Sequence, residues 1–578
     1  MSAVSGVWDR TRALLPARED LASMLHQPRR DLTAGLTVAI VALPLALGFG
    51  ISSGLGAAAG LTTAVVAGAL AAVFGGSSLQ VSGPTGAMTV VLVPIMHAHG
   101  AGGVLTVGLL AGLILIGLAV ARAGRYMAFV PASVVEGFTL GIACVIGLQQ
   151  LPAALGVPTP HGDQVAVVAA RTVAAFAAHP NWVAIAIAGG VAALILIGAR
   201  IRPAVPFSIL AVVAAVVISE AAGLDTARIG QLPTGLAAPT LSFFDLSAIW
   251  SLAGAAVAVA ALAALESLLS AAVADGMGVN HRHDPDRELF GQGLANLVAP
   301  LFGGVPATGA IARTAVNVRS GAGSRLAALV HAALLAAIIY TAAPLVGRIP
   351  LAALAGVLLA TSVRMVEVGS VRAMARATRS DAVVLTLTAI ATLALDLVKA
   401  VILGLVVAGA LALRAVARSA RLRQMPLHPD LPGDHTTEER ALLDEHIVAY
   451  RIDGPLLFAA HRFLLELSEV AHVSVVILRM SAVSAIDASG ALVLKDAIEK
   501  LQHRHMTVLI SGIRPGHDRT LDALDVIDTL HAEGRVFTST PEAIHAARAH
   551  LHHSGILHTT TGRGGTNPAP TDQSPPAA

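Results

Sequence analysis

Two tripeptides of one kind stand 223 positions apart, Thr85-Gly86-Ala87 and Thr308-Gly309-Ala310. Each follows a Gly-Gly break, Phe74-Gly75-Gly76 in one half and Phe302-Gly303-Gly304 in the other, and each opens a short apolar run. A helix that starts inside a membrane exposes unpaired N–H groups and the positive end of its dipole. Two such ends facing each other make a site for an anion. Paired, Gly/Pro-interrupted short segments in the two halves of a membrane chain are the sequence pointer to a transporter's binding site. Gly86 and Gly309, with Ala87 and Ala310 beside them, let a ligand approach the backbone closely. The Thr85 and Thr308 hydroxyls can donate to an anion or cap a helix. The competing reading is close packing between spans, a common use of small residues in lipid. Two such motifs, inverted and each behind Gly-Gly, favour the substrate site.

Arg313 stands five residues after Thr308, about one and a half turns into the same apolar run. An arginine there is costly in lipid and should face a bundle interior or a water-filled cavity. It either supplies a fixed positive charge beside the anion, in a fork that matches oxyanions, or it pairs permanently with an acid. Glu266, in Ala264-Leu265-Glu266-Ser267-Leu268-Leu269, is the obvious partner. Low dielectric and a nearby arginine act on a carboxyl in opposite senses, so Glu266 is a candidate to take up a proton as the site changes state. A sodium ligand and a static Glu266–Arg313 ion pair are the alternatives. Asp275, Asp284, Asp286 and Glu288 border an expected cytoplasmic loop and read as solvated. Asp396 and Lys399 read as an interfacial turn. His281 and His283 are too few for a metal site, and no metal or cofactor is expected. Gly54-Leu55-Gly56 followed by Gly60 lacks the spacing and βαβ context of a dinucleotide site. No Walker loop supports ATP-driven transport, and an enzyme is not expected.

The elements that must position these residues lie in a membrane. The 578 residues are 55% hydrophobic and 13% charged, with mean hydropathy +0.74; soluble domains carry about 25% charged residues. A net charge of +2 and 3% aromatics give no case for nucleic acid. The single cysteine, Cys144, rules out an intramolecular disulfide. Residues 1–30 mix charges of both signs without a signal-peptide core and read as a cytoplasmic segment. Residues 31–416 hold about fourteen apolar runs. They lie near 33–50, 56–76, 84–97, 102–122, 131–149, 181–200, 206–222, 247–275, 288–301, 307–319, 326–345, 350–366, 380–395 and 398–416. Arginines cluster after the even-numbered runs, as at Arg122/Arg125, Arg200/Arg202, Arg319/Arg325 and Arg372/Arg376/Arg379. That bias puts both ends in the cytoplasm and makes the third and tenth runs point in opposite directions. Residues 417–445 read as a linker, 446–552 as an α/β domain with strands near 446–450, 473–478 and 506–511 and helices at 458–471, 489–503 and 517–530, and 553–578 as a disordered tail. Asp487 or Ser489 caps the helix after Ile486, and Ser489 is also a candidate for phosphorylation.

These residues resemble the sulfate permease family of anion transporters. The likeness covers about 30–550. Its specific segments are Val81-Ser82-Gly83-Pro84-Thr85-Gly86 and Ala307-Thr308-Gly309-Ala310-Ile311-Ala312-Arg313-Thr314-Ala315-Val316-Asn317, with Glu266-Ser267-Leu268-Leu269 and Gly291-Gln292-Gly293-Leu294-Ala295-Asn296. Asp487-Ala488-Ser489-Gly490 is similar to the signature loop of a STAS domain. The resemblance implies fourteen membrane segments as a 7+7 inverted repeat, split into core and gate domains, plus a cytoplasmic α/β STAS domain. It implies a multi-pass homodimer in the plasma (inner) membrane that moves its core like an elevator. It puts the anion (sulfate, bicarbonate or a dicarboxylate) between the third and tenth segments, with Phe49 and Arg313 lining it and Glu266 at the position linked to a proton or sodium ion. Leu45 stands where some animal relatives carry a glutamine, so that contact is absent. An uncoupled channel or exchanger would use the same site.

Overall fold

The computed structural model describes residues 14–160, 164–202, 205–277, 282–395, 397–419, 421–425, 445–457 and 473–556. His281, Asp396, most of the expected linker, the expected helix at 458–471 and the tail from 557 lie outside the described residues. The chain forms two compact units, Met1–Ala408 and Gly409–Ala578.

The first unit is helical. In chain order come α1 (Arg18–Ser23), α2 (Pro28–Ser52), α3 (Ala57–Phe74), a two-residue strand β1 (Ser82–Gly83) and α4 (Gly86–Val120). Next are α5 (Ala132–Gln149), α6 (Leu151–Leu155), α7 (Val165–Ala178), α8 (Trp182–Ile201), α9 (Phe207–Ala221) and α10 (Ile249–Met277). Then follow α11 (Pro285–Val298), strand β2 (Thr308–Gly309), α12 (Ile311–Arg319), α13 (Leu326–Val346), α14 (Leu351–Met365), α15 (Val368–Ala377), α16 (Arg379–Ala394) and α17 (Leu397–Ser419), whose last residues belong to the second unit. Nine helices among the described residues are long and apolar enough to cross a membrane. One of these, α4, has 35 residues and breaks at Gly100, whose φ of 66° and ψ of −168° leave the helix. It thereby supplies both the third and the fourth expected runs. The remaining runs are shorter: α9, α11, α12 and α16 have 15, 14, 9 and 16 residues. Nine residues rise only about 14 Å, half of a bilayer core. So α12 is a half-helix, as the Gly-Gly break and the short run lead one to expect.

Residues 165–178, left among the outer loops by the sequence reading, form α7, of which only Ala169 and Thr172 are buried. The larger correction concerns acids read as solvated. Glu288 is 1% exposed, Asp275 holds His283 at 2.7 Å, and Asp286 accepts from Gly124 N–H. The cause is close backbone packing. A Cβ on Gly291 would meet Gly75 Cα at 2.5 Å, and one on Gly112 would meet Leu297 N at 2.6 Å. These contacts draw α11 against α3 and α4, away from water. Arg325, counted as a loop charge, is likewise 2% exposed.

The second unit is an α/β layer. Its sheet runs β3 (Arg421–Met425), β4 (Ile447–Leu456), β5 (Val475–Arg479), β7 (Thr507–Ser511), β8 (Val536–Phe537), with β6 (Val483–Ile486) off β4. All pairings are parallel except β3–β4. Strand β3 lies where the sequence reads as linker. Helix α18 (Ala488–His503) follows β6, α19 (Asp518–Asp522) and α20 (Asp528–Ala532) replace the single helix expected at 517–530, and α21 (Thr540–His553) ends the described chain. Val476, Leu478, Val508 and Ile510 are fully buried under α18, whose inner face is Leu494, Ile498 and Leu501.

Candidate anion site

Strands β1 and β2 pair antiparallel, Ser82 with Gly309 and Gly83 with Thr308. Helix α4 begins three residues after Gly83, and α12 two residues after Gly309. Antiparallel strands send their following helices apart, so the two amino ends meet around the strand pair. Thr85 caps α4, its Oγ1 accepting from Met88 N–H at 3.4 Å. Helix α12 has no side-chain cap, and the Ala310 N–H before it donates to Val81 O at 2.9 Å. Thr308 therefore does not cap: Ile311 is the first helical residue, and the Thr308 hydroxyl turns to Ser267 Oγ at 3.1 Å.

Gly86, Ala87, Thr308, Gly309 and Arg313 are all buried here, with Thr85 at 9% and Ala310 at 7% exposure. Phe49 from α2 closes on Gly86: its Cε1 lies 3.1 Å from where a Cβ on Gly86 would stand, and Ile146 is nearer still. Glu266 reaches in from α10 and accepts from Thr85 Oγ1 at 2.8 Å. Arg313 donates from Nη2 to Pro84 O at 2.6 Å. Its Nη1 is buried and has no protein hydrogen-bond partner. Gly83, at φ +152°, makes room for that nitrogen, since a Cβ there would stand 2.6 Å from it. Glu266 and Arg313 interact electrostatically, yet each spends its hydrogen bond elsewhere. The static ion pair, one of the sequence alternatives, is not formed. A guanidinium N–H left unpaired inside a protein is a donor waiting for an acceptor.

Further residues fix this geometry. Asn296 pairs with Ala307 in both directions, Oδ1 to N–H and Nδ2 to O, each 2.8 Å. Gly309 N–H donates to Ser267 Oγ at 2.9 Å, and Val81 N–H to Thr314 Oγ1 at 3.0 Å. Ser270 joins Thr314 at 2.9 Å. Sequence reasoning passed over Ser267 and Ser270. Their signal is polarity inside an apolar helix, one residue and about one turn beyond Glu266. Ser489 belongs to the second unit. It is exposed on the first turn of α18, where Asp487 is the cap, accepting from Gly490 N–H at 2.7 Å. Among the described residues no three metal-type side chains converge.

Comparison with known proteins agrees in both units. The family model "Sulfate permease family" matches residues 29–388, and "STAS domain" matches 441–543. "Putative sulfate transporter YvdB" of Bacillus subtilis is 34% identical over 505 residues, spanning 85% of this chain and 92% of its own. "Bicarbonate transporter BicA" of Picosynechococcus sp. is 30% identical over 521 residues, covering 86% and 90%. The solved transmembrane domain of a cyanobacterial BicA superposes with a TM-score of 0.59 at 31% identity, covering 66% of this chain and 98% of that one. A murine Solute Carrier 26 A9 structure superposes with a TM-score of 0.78 over 93% of this chain and 94% of its own; at 17% identity it speaks to the fold alone. The helical membrane architecture followed by an α/β domain is thus that of known transporters, and the chain belongs to the sulfate permease family.

Proposed function

We propose that this protein is a secondary active transporter of a small anion (sulfate, bicarbonate or a dicarboxylate), coupled to protons and working by an elevator movement of its core. One observation carries the reading: two helix amino ends oppose each other across the β1–β2 pair, with the Arg313 guanidinium beside them and one of its N–H groups unpaired. The Gly86–Ala87 end of α4 and the Ile311 end of α12, behind Ala310, offer amide donors and positive dipole ends. Arg313 adds full charge, Phe49 stands against the Gly86 end, and Gly309 leaves room for Gln80 beside it. Glu266, hydrogen-bonded to Thr85, is the coupling residue. An anion arriving beside Arg313 changes the field at Glu266, so anion and cation occupancy are linked. The relatives named for sulfate and for bicarbonate support an inorganic oxyanion. Residues 31–416 form the transport domain of a homodimer in the plasma membrane, with residues 1–30 and the STAS domain at 446–552 on the cytoplasmic side.

A sodium-coupled reading has an observation of its own. Glu266 Oε2 and Thr85 Oγ1 lie 2.8 Å apart, and carboxylate with hydroxyl is a hard-oxygen set that suits such a cation. Proteoliposomes with labelled sulfate, bicarbonate and succinate, under an imposed pH or sodium gradient, separate the readings. Uptake driven by the pH gradient and uncoupled by Glu266→Gln is the expected result. Gradient dependence unchanged in that variant overturns coupling through Glu266 and leaves an uncoupled carrier.

A further inference from the structure

Glu288 is a buried carboxylate that takes no part in the site just described. It is 1% exposed and accepts four hydrogen bonds. Its Oε2 takes Gly76 N–H at 2.9 Å and Ser77 N–H at 3.1 Å. Its Oε1 takes Gln80 Nε2 at 2.8 Å and Gln292 Nε2 at 3.0 Å. A buried charge is tolerated only when satisfied in this way. The same peptide stretch is held from its other side by Arg325, whose Nη1 donates to the carbonyls of Ala72, Gly75 and Ser77 at 3.0, 2.7 and 3.4 Å. An anion grips the amides and a cation grips the carbonyls of one turn, and that turn leads directly into β1.

The two glutamines carry the grip onward. Gln292 donates to Ser82 Oγ at 2.5 Å, on β1. Gln80 packs its Nε2 against Gly309, on β2, filling the space a Cβ would need. Ser82 and Gly309 are partners in the strand pair. One carboxylate thus braces both strands from which the opposed helices depart. The chain cannot conduct protons, because its links are carboxamides that do not exchange a proton readily. It can only hold geometry. On these contacts we infer that Glu288 is a positioning residue for the anion cradle, fixing the β1–β2 pair through Gln80 and Gln292. This rests on the reading that the cradle binds an anion.

The test uses full-length protein in proteoliposomes, with whichever of labelled sulfate, bicarbonate and succinate the wild type takes up. Glu288→Gln turns an NH2 group toward N–H donors and should loosen the cradle. We expect KM to rise at least about fivefold, with Vmax per folded transporter within about twofold, a loss of around 1 kcal/mol in binding. Glu288→Asp should lie between that variant and wild type. Gln80→Met and Gln292→Met keep volume, leave Glu288 in place, and should each raise KM about threefold. They decide the matter if Glu288→Gln does not fold. KM unchanged in these variants, with only the amount of folded protein reduced, overturns the inference and leaves a fold-stabilising carboxylate. A wild type that takes up none of the three anions overturns the transport reading, and the cradle inference falls with it.

Discussion

Arg313→Gln removes the full positive charge placed at the paired helix ends. The side chain is 1% exposed, anchored by Nη2 on Pro84 O at 2.6 Å and left with a free Nη1. An anion about 5 Å from the guanidinium, at an effective dielectric of about 20, gains about 3 kcal/mol. At 1.36 kcal/mol per tenfold, that is roughly 200-fold in affinity. Water entering the site would cut the gain to about 2 kcal/mol, roughly thirtyfold. The helix ends remain, each contributing about 0.3–1 kcal/mol, so binding weakens without vanishing. Arg313→Lys keeps the charge and loses the fork that holds Pro84 O. It should fall between the two, at roughly tenfold. The assay is initial-rate uptake against anion concentration in proteoliposomes, with folded protein counted by size-exclusion chromatography. A Gln variant whose KM stays within about threefold of wild type refutes the electrostatic account. Equal damage from Lys and Gln would also refute it, by making the arginine a packing element.

Gly309→Ala would drive a Cβ into Gln80 Nε2 and to 3.0 Å from Ser267 Cα; uptake should be lost while Gly189→Ala, which has open space around it, is silent. Asp487→Ala removes the cap of α18 and should cost about 1 kcal/mol, read as faster hydrogen exchange at the Gly490 amide, whereas the exposed Ser489→Ala should leave exchange unchanged. Asp20 docks the amino-terminal segment on Arg287 at 2.7 Å and Arg325 at 3.4 Å. Burial pushes its carboxyl up, but Arg287, Ala17 N–H and Arg325 together outweigh that and hold it below its ordinary 3.8. The docking is therefore complete above pH 3.8 and is lost as pH falls through the lowered value. Asp20→Asn should speed tryptic cleavage after the exposed Arg18 at neutral pH by freeing the segment; equal digestion of variant and wild type would contradict this.

The broken helices were legible because their signals are local. Gly-Gly ends one element, Thr-Gly-Ala opens the next, and the run that follows is too short to span. The charges of Arg313 and Glu266 announced themselves by standing in apolar sequence. What joins these parts was hidden, because it is long-range. The Ser82–Gly309 pairing links residues 227 apart (309 minus 82), and two-residue strands have no periodicity to read. Glu288 misled for a related reason. An acid among Asp284, Asp286 and Arg287 looks like loop surface, and close backbone contacts such as Gly75–Gly291 carry it inside. The static Glu266–Arg313 ion pair, an alternative in the sequence, is not formed because backbone and hydroxyl partners, absent from any tally of charges, satisfy each group first.

The most direct measurement of the central claim is a density map of the full-length protein with its transported anion bound. The account places that density between the amino ends of α4 and α12, within about 3 Å of amide nitrogens from both helices and of Arg313 Nη1. An anion found elsewhere, with those amides and Nη1 facing only lipid or protein, would contradict it.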